Sequence, residues 1–385
     1  MVQLDAMRRA VDLAARGIGT TTPNPVVGAV ILDPQGRVVG EGFHARAGGP
    51  HAEVAALTEA GARARGGTAV VTLEPCNHTG RTGPCVTALL DAGIARVVVA
   101  VRDPHRLAAG GVEALESAGV EVEVGLLAEA AERVNEAWLT YVRAGRPFVT
   151  WKYAASMDGR VAAADGSSRW VSGAESRTEV HRLRAESDAV LVGSGTVLAD
   201  DPHLAVRKSP TLHGQPLRVV LDTSARTPIT ARVLDDAAPT LVFVAEDAED
   251  ARDTRDTGVA RLRGAGAEVV AVPRAPSGRG LDLAAVLSVL HGRNVVSLLL
   301  EGGPHLAGSF LAERLVDRVL AYVAPVLIGG GGLPALAGAG APTLDAALRL
   351  RVDEVGRSGP DVRIVARPAS PTASGRHRTT SEEES

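Results

Sequence analysis

Three side chains in the first quarter of the chain could share a metal ion. They are His51, in the run His51-Ala52-Glu53, then Cys76, which follows Pro75, and Cys85. One imidazole and two thiolates fill three positions of a tetrahedral zinc site and leave the fourth to water. A dication held this way lowers the pKa of that water toward neutrality. Glu53 lies two residues from His51 at a predicted helix start. It can face the water without ligating, take its proton and pass it on to a substrate atom. The chemistry implied is metal-assisted hydrolysis. Each element also has a plainer reading. A lone His-x-Glu at a helix start is ordinarily a capping or surface pair, and two nearby cysteines could form a disulfide or a closed structural zinc site. A disulfide does not suit a reducing compartment. A closed site needs a fourth ligand, for which His78 is the nearest candidate. The combination, each part beside an expected strand, favours the open site.

A second set of residues is less specific. Lys152 and Lys208 are the only lysines among 41 basic residues, and an ammonium can shift its pKa where a guanidinium cannot. On spacing alone, Lys152 also reads as a surface charge at a strand end. Glu301-Gly302-Gly303-Pro304 follows an apolar strand and precedes a helix, where free N–H groups suit a phosphate. The same run is also an ordinary strand-to-helix turn. No G-x-G-x-x-G follows an early strand, which argues against a Rossmann dinucleotide domain.

The elements that must position these residues alternate between helical and strand-like periods. Leu4, Met7, Ala10, Val11 and Ala14 recur at helical spacing, with Gly17 as a stop. Val26 to Leu32 and Val38 to Phe43 read as strands around a turn at residues 33–36. A helix over His51 to Ala64, a strand over Thr68 to Leu73, a helix over Cys85 to Ala92 and a strand over Ala95 to Val101 follow. Val112 to Ala118 (helix), Val120 to Val124 (strand) and Glu129 to Arg143 (one long helix) complete a three-layer α/β pattern with a mixed sheet. A breaker at Ala144-Gly145-Arg146-Pro147 places a domain boundary, giving domains 1–145 and 146–367 and a tail 368–385. Beyond it, helices are expected over Glu175 to Ala185, Leu283 to Leu290 and Leu306 to Glu313. Strands are expected from Phe148 and over Ala189 to Val192, Arg218 to Leu221, Thr240 to Val244, Val295 to Leu300 and Val319 to Val323. Gly329 to Gly332 reads as a glycine-rich loop and Val362 to Val365 as an edge strand. The tail, polar and without apolar period, reads as disordered.

The bulk numbers narrow the function class. At 385 residues, 45% hydrophobic and 22% charged, the chain has core enough for two or three domains. A net charge of −4 with no basic block disfavours a nucleic-acid binder. No apolar run is long enough to span a membrane, and the first residues lack the order of a signal peptide. The expectation is a cytoplasmic enzyme without membrane or nucleic-acid partners.

The order His-x-Glu, Pro-Cys, Cys matches the general signature of zinc-dependent nucleobase deaminases. The run from Cys76 to Cys85 (CNHTGRTGPC) resembles the deaminase half of the bifunctional riboflavin-biosynthesis deaminase–reductase family, as do Thr22-Pro23-Asn24-Pro25-Val26-Val27-Gly28, Gly42-Phe43-His44 and Gly48 to Glu53. The family often carries Asn-Pro where this chain has His105-Arg106. The second half resembles the family's reductase, similar in fold to dihydrofolate reductase, over Lys152 to Arg160, Ser168 to Ser172, Arg182 to Arg184, Val192 to Pro202, Leu204 to Arg207, Leu221 to Thr223 and Glu301 to Ser309. The resemblance omits the tail and the Asp235 to Arg279 region.

That resemblance implies a cytidine-deaminase-like domain followed by a dihydrofolate-reductase-like α/β domain. By it, His51, Cys76 and Cys85 hold Zn²⁺ and Glu53 carries the proton, while Asn24 and His44 contact the pyrimidine or its sugar phosphate. Ala154, Trp170, Thr196, Asp200, Thr223 and the run Gly303, Pro304, His305, Leu306, Ala307, Gly308 and Ser309 would bind NADPH. Ser168, Arg184, Leu204, Arg207 and Glu301 would hold the substrate, since arginine forks suit phosphate oxygens. Lys152 would guide the sugar carbonyl during hydride transfer. The implied substrate is a diaminopyrimidinone ribosyl phosphate, deaminated and then reduced to its ribityl form, by a homo-oligomer, expected to be a dimer. Two rivals stand beside this reading. One is a single-activity nucleoside or RNA deaminase with a degenerate second domain. The other is a non-catalytic zinc scaffold, against which Glu53 argues.

Overall fold

The computed structural model describes residues 2–78, 83–105, 108–207, 214–249, 257–338 and 340–369. The fingerprint residues Thr79 to Thr82, Arg106, Lys208 and residues 370–385 of the tail lie outside them. The chain divides into two compact units, Met1–Val149 with Thr178–Gly302, and Thr150–Arg177 with Gly303–Ser385.

In the first unit, α1 (Val2–Ala15), β1 (Gly28–Leu32), β2 (Val38–Phe43), α2 (Ala52–Ala60), β3 (Thr68–Leu73), α3 (Cys85–Asp91), β4 (Arg96–Val101), α4 (Gly111–Ser117), β5 (Glu121–Val124), α5 (Ala128–Val134) and α6 (Glu136–Ala144) build a five-stranded mixed sheet in the order β2-β1-β3-β4-β5. β1 is antiparallel to β2 and β3, whereas β3, β4 and β5 run parallel. Helices cover both faces, so β1, β3 and β4 read as nearly unbroken apolar runs. One core packs Ala52, Ala56 and Val86 against Ile31, Val71 and Val99. The other packs Met7, Trp138 and Leu139 against Val30, Val70 and Val98, and Val296 joins it from far along the chain. Phe148 N–H donates to the Val296 carbonyl at 2.9 Å.

Two glycines decide how closely helices approach this sheet. A Cβ on Gly28 would sit 1.9 Å from the Ala10 carbonyl, and one on Gly42 would sit 2.4 Å from the Ala52 carbonyl. α2 therefore rests on the β2 backbone itself, with His51 and Glu53 at the end of the helix that this contact fixes.

The chain continues through β6 (Phe148–Ser156), β7 (Arg160–Ala162), α7 (Ala174–Ala185), β8 (Ala189–Gly193), α8 (Ser194–Asp200), β9 (Leu217–Leu221), β10 (Thr240–Ala245), α9 (Glu246–Glu249), α10 (Gly258–Gly264), β11 (Glu268–Val272), α11 (Leu283–Gly292), β12 (Ser297–Leu300), α12 (Pro304–Ala312), β13 (Arg318–Ala324), β14 (Leu333–Pro334), β15 (Leu350–Ser358) and β16 (Asp361–Pro368). In the first unit, β11-β10-β9-β8-β12 lie side by side, all parallel. Their core gathers Val190, Val220, Val242, Leu262 and Leu299. In the second unit the order is β6-β13-β16-β15, with β6 and β13 parallel and the other pairs antiparallel, and β7 pairs with β14.

Several readings from sequence need correction. The long helix over 129–143 breaks at Asn135, whose side chain accepts the Val26 N–H at 3.1 Å instead of continuing a helical face. The helix at 51–64 ends at Ala60 and tightens into a 3₁₀ turn over 61–64. Val362 to Val365 is not an edge strand, because β16 is flanked on both sides. The edge is β15, missed because its side chains are mostly exposed and carry no period-two signal.

Candidate active site

The three candidate metal ligands come from separate elements. His51 caps α2, Cys76 follows β3 through Pro75, and Cys85 opens α3. Their ligand atoms all lie within 4.8 Å of one another. His51 Nδ1 is 3.2 Å from Cys85 Sγ and 3.5 Å from Cys76 Sγ. Zn–S and Zn–N bonds of about 2.3 and 2.0 Å in a tetrahedron demand ligand spacings of roughly 3.5–3.8 Å, so the trio fits zinc through Nδ1. Both cysteines are free thiols and buried.

The electrostatics are those of a site built for a cation. Hydrogen bonding from Cys85 and His51 draws the Cys76 thiol down to about 4. Cys85 is pushed far up by the hydrogen bond it gives Cys76, by burial, and by the Glu53 charge. His51 is raised, chiefly by its hydrogen bond with Cys76. Glu53 is 3% exposed in the first turn of α2, and burial raises its carboxyl above the ordinary range. A carboxyl so placed holds a proton readily and can give it back.

Beside this centre lies a cavity of about 380 Å³. Asn24 and His44, both singled out in the sequence, meet on its wall. The Pro50 carbonyl can only accept, so His44 Nδ1 must carry the proton across their 2.9 Å contact. Its Nε2 then accepts from the Asn24 amide at 3.2 Å. Burial lowers the His44 pKa, which keeps this neutral tautomer. Asn24 thus arrives at the pocket already oriented.

Glu74 went unnoticed in the sequence, although an acid directly between an apolar strand and Pro75-Cys76 was a usable signal. It is 4% exposed. Its carboxylate accepts backbone N–H groups of Asp103 (3.0 Å), Gly110 (3.1 Å) and Val112 (3.0 Å). Together these bonds brace the segment that carries Asp103, His105 and Ala108 along the cavity. Glu74→Ala would orphan those three donors at about 1–3 kcal/mol for each that stays buried. Urea unfolding should show a loss of that order, with turnover at the metal centre falling in parallel. Glu74→Gln should lose less, since its carbonyl still accepts. Trp138, Tyr141 and Val142 of α6, with Asn294 beyond α11, also line the cavity. The Tyr141 hydroxyl donates to Asn294 Oδ1 at 3.2 Å.

The second set of sequence candidates divides between the units. In the first unit, Thr196 and Asp200 lie on α8, Thr223 follows β9 and Glu301 follows β12. Gly193 is opposite Leu221, and Leu300 is opposite Leu191. Parallel pairing in that register brings the ends of β8, β9 and β12 to one sheet edge, the carboxyl edge where open α/β sheets bind ligands. Among the described residues, nothing stands within 4 Å of where a Gly195 side chain would begin, which leaves the α8 start open to a cofactor's approach. Arg184 of α7 grips Glu301 through two bonds, Nε to Oε1 at 2.6 Å and Nη2 to Oε2 at 2.9 Å. Burial opposes the Arg184 charge, yet the charge and hydrogen bonds of Glu301 prevail and its pKa rises. Leu204 is buried and Arg207 exposed.

In the second unit, Lys152 on β6 holds its ammonium 6.0 Å from the Tyr322 ring centre, and Ala154 stands opposite Tyr322 in register. Trp170 is 70% exposed, with the Arg177 guanidinium 4.5 Å from its ring, and Ser168 lies two residues earlier. Gly303 caps α12, whose first turns hold Pro304 to Ser309.

Comparison with known proteins places both halves. Residues 2–101 match the cytidine and deoxycytidylate deaminase zinc-binding region, and residues 147–364 match the RibD C-terminal domain. The chain is 45% identical over 362 residues to the riboflavin biosynthesis protein RibD of Mycobacterium tuberculosis, covering 93% of this chain and 95% of that protein. It is 42% identical over 360 residues to that of Aquifex aeolicus, covering 93% and 96%. Among solved structures, Acinetobacter baumannii RibD superposes with a TM-score of 0.83 at 38% identity, covering 96% of this chain and 99% of that one. A Thermotoga maritima deaminase/reductase gives 0.81 at 33% identity with the same coverage.

Proposed function

The chain belongs to the RibD family of riboflavin-biosynthesis proteins, and from that membership we propose how its own residues divide the family's two reactions. It is a bifunctional enzyme, a zinc-dependent deaminase joined to an NADPH-dependent reductase. The Thermotoga relative is a diaminohydroxyphosphoribosylaminopyrimidine deaminase and 5-amino-6-(5-phosphoribosylamino)uracil reductase. The same pair of reactions is assigned to this chain, amine to carbonyl on the pyrimidine and then ribosyl to ribityl. A separate RNA deaminase with an idle second domain is not favoured, since the likeness spans both halves.

In the first reaction, zinc held by His51, Cys76 and Cys85 supplies Lewis-acid activation of water. Glu53 takes the proton of the attacking water on its carboxylate, delivers it to the ring nitrogen and assists the leaving ammonia. Asn24 gives one amide N–H to His44, and its second N–H and carbonyl serve to read the edge of the pyrimidine. The observation that carries this half is the ligand trio with buried Glu53 two residues from His51.

In the second reaction a bound NADPH would supply a hydride to the anomeric carbon as its bond to the ring oxygen breaks. Lys152 polarises that oxygen and donates the proton it gains on becoming a ribityl hydroxyl. Ser168, Arg184, Leu204, Arg207 and Glu301 hold the ribosyl phosphate. Ala154, Trp170, Thr196, Asp200, Thr223 and the Gly303 to Ser309 turn hold the cofactor.

No helix among the described residues is long and apolar enough to cross a membrane. The free thiols and nicotinamide chemistry support a cytoplasmic setting. Leu350, Val352 and Val355 are exposed along β15, an apolar edge that supports pairing with a second copy.

The whole reading is tested by incubating the protein with the diaminopyrimidinone ribosyl phosphate, with and without NADPH. Mass spectrometry should show an amine exchanged for oxygen in both samples. A further gain of two hydrogens should appear with NADPH alone. Reduction without prior deamination would overturn the assigned order.

A further inference from the structure

Between α8 and β9 the backbone is held in a shape that it would not choose. Asp201 and Leu204 have φ of 41° and 59°, the left-handed region that residues with a Cβ rarely enter. Strain of this kind persists only where surrounding structure over-determines it. Here the surroundings are specific. Arg218, the second residue of β9, is 0% exposed. Its Nε donates to Thr240 Oγ1 at 2.9 Å, and its Nη1 donates to Asp235 Oδ1 at 2.7 Å, to the Arg232 carbonyl at 3.3 Å and to the His203 carbonyl at 3.5 Å. Nη2 serves the carbonyls of Asp235 and Ala238. The other oxygen of Asp235 meets His203 Nε2 at 2.9 Å. Asp201 accepts the Arg232 N–H at 2.8 Å, tying the first strained residue to the same loop. On the far side of Leu204, Gln215 acts as a surrogate strand. Its carbonyl accepts Val206 N–H at 2.7 Å and its amide donates to Val206 O at 3.0 Å.

A buried guanidinium adds little net stability over apolar packing of the same volume. Its worth here is shape, since Nη1 reaches the His203 carbonyl directly and His203 Nε2 through Asp235, while Nε and Nη2 fix Thr240 and the 235–238 backbone behind them. We propose that Arg218, Asp235 and Gln215 are positioning residues of the reductase, holding the Asp201 to Val206 backbone so that Arg207 is presented to the phosphate of the substrate. This rests on the assignment of Leu204 and Arg207 to substrate made above. Gln215 and Asp235 lie outside the motifs that carry the family likeness.

Arg218 variants risk unfolding, so the test uses the half-buried Gln215. In the full-length protein, Gln215→Ala should raise the reductase KM for the ribosyl phosphate about tenfold, the order seen when a supporting shell is removed. The reductase kcat should stay within about twofold, because uniform binding is lost rather than transition-state contact. Deaminase kinetics should not change, and the dephosphorylated ribosyl compound should show no matching rise. Arg207→Ala run beside it separates the two levels. A KM rise in Arg207→Ala with none in Gln215→Ala overturns the positioning role. So does a Gln215→Ala defect that is confined to kcat or is equal on the dephosphorylated compound. An unchanged KM in Arg207→Ala overturns the assignment of Arg207 itself.

Discussion

Glu53→Gln should lower deaminase kcat by about 10²–10⁴-fold, the usual contribution of a positioned proton carrier. Glutamine fills the same space in a residue that is 3% exposed, so neither the fold nor the zinc content should change. What disappears is the capacity to accept a proton from water and return it to nitrogen. Reductase activity, assayed on the already deaminated compound, should be retained in full. Single-turnover ammonia release with zinc measured on the same sample decides the matter. Full deaminase turnover with zinc bound would remove Glu53 from the chemistry.

The second large effect is expected at Cys85. Cys85→Ser replaces a thiolate by a hydroxyl that zinc binds poorly. Bound zinc should fall from about one per chain to background, with deaminase activity lost and the reductase retained. The protonation of the empty site adds a pH signature. His51 holds its proton more tightly than usual through its bond with Cys76, while Cys85 keeps its proton through its bond to Cys76 and its burial. Zinc must displace both protons, so its affinity rises as pH rises. Competition with a chromophoric chelator across pH 6 to 8 (roughly the range in which imidazoles titrate) should show that slope. A flat response would mean that a different ligand set holds the metal.

The metal centre was legible in the sequence because each ligand type is chemically constrained and each sits beside a recognisable strand or helix. Asn24 and His44 were legible only through likeness, and the structure adds the reason they work together, the tautomer set by Pro50. Glu74 had only its placement before Pro75-Cys76 as a signal, because its partners are backbone N–H groups, which have no side-chain type to match. Tyr141 and Asn294 are 153 positions apart, and no periodicity reports such a meeting. The same limit applies to strands. β12 and β13 are apolar and were found, but β15 is exposed along most of its length and was not. Asn135 sits inside an unbroken helical pattern, so the break it makes became visible only with its Val26 bond. The strained Asp201 and Leu204 were invisible for a simpler reason, since nothing about a leucine announces a positive φ.

The place taken by Val296 bears on anyone who wishes to express the deaminase alone. Cutting after residue 145, where composition invites a scissor, would strip that side chain from Trp138 and Leu139 and deprive Tyr141 of its Asn294 acceptor. The truncated piece would present bare aromatic surface to water and would call for solubilising substitutions on α6 before it could be handled.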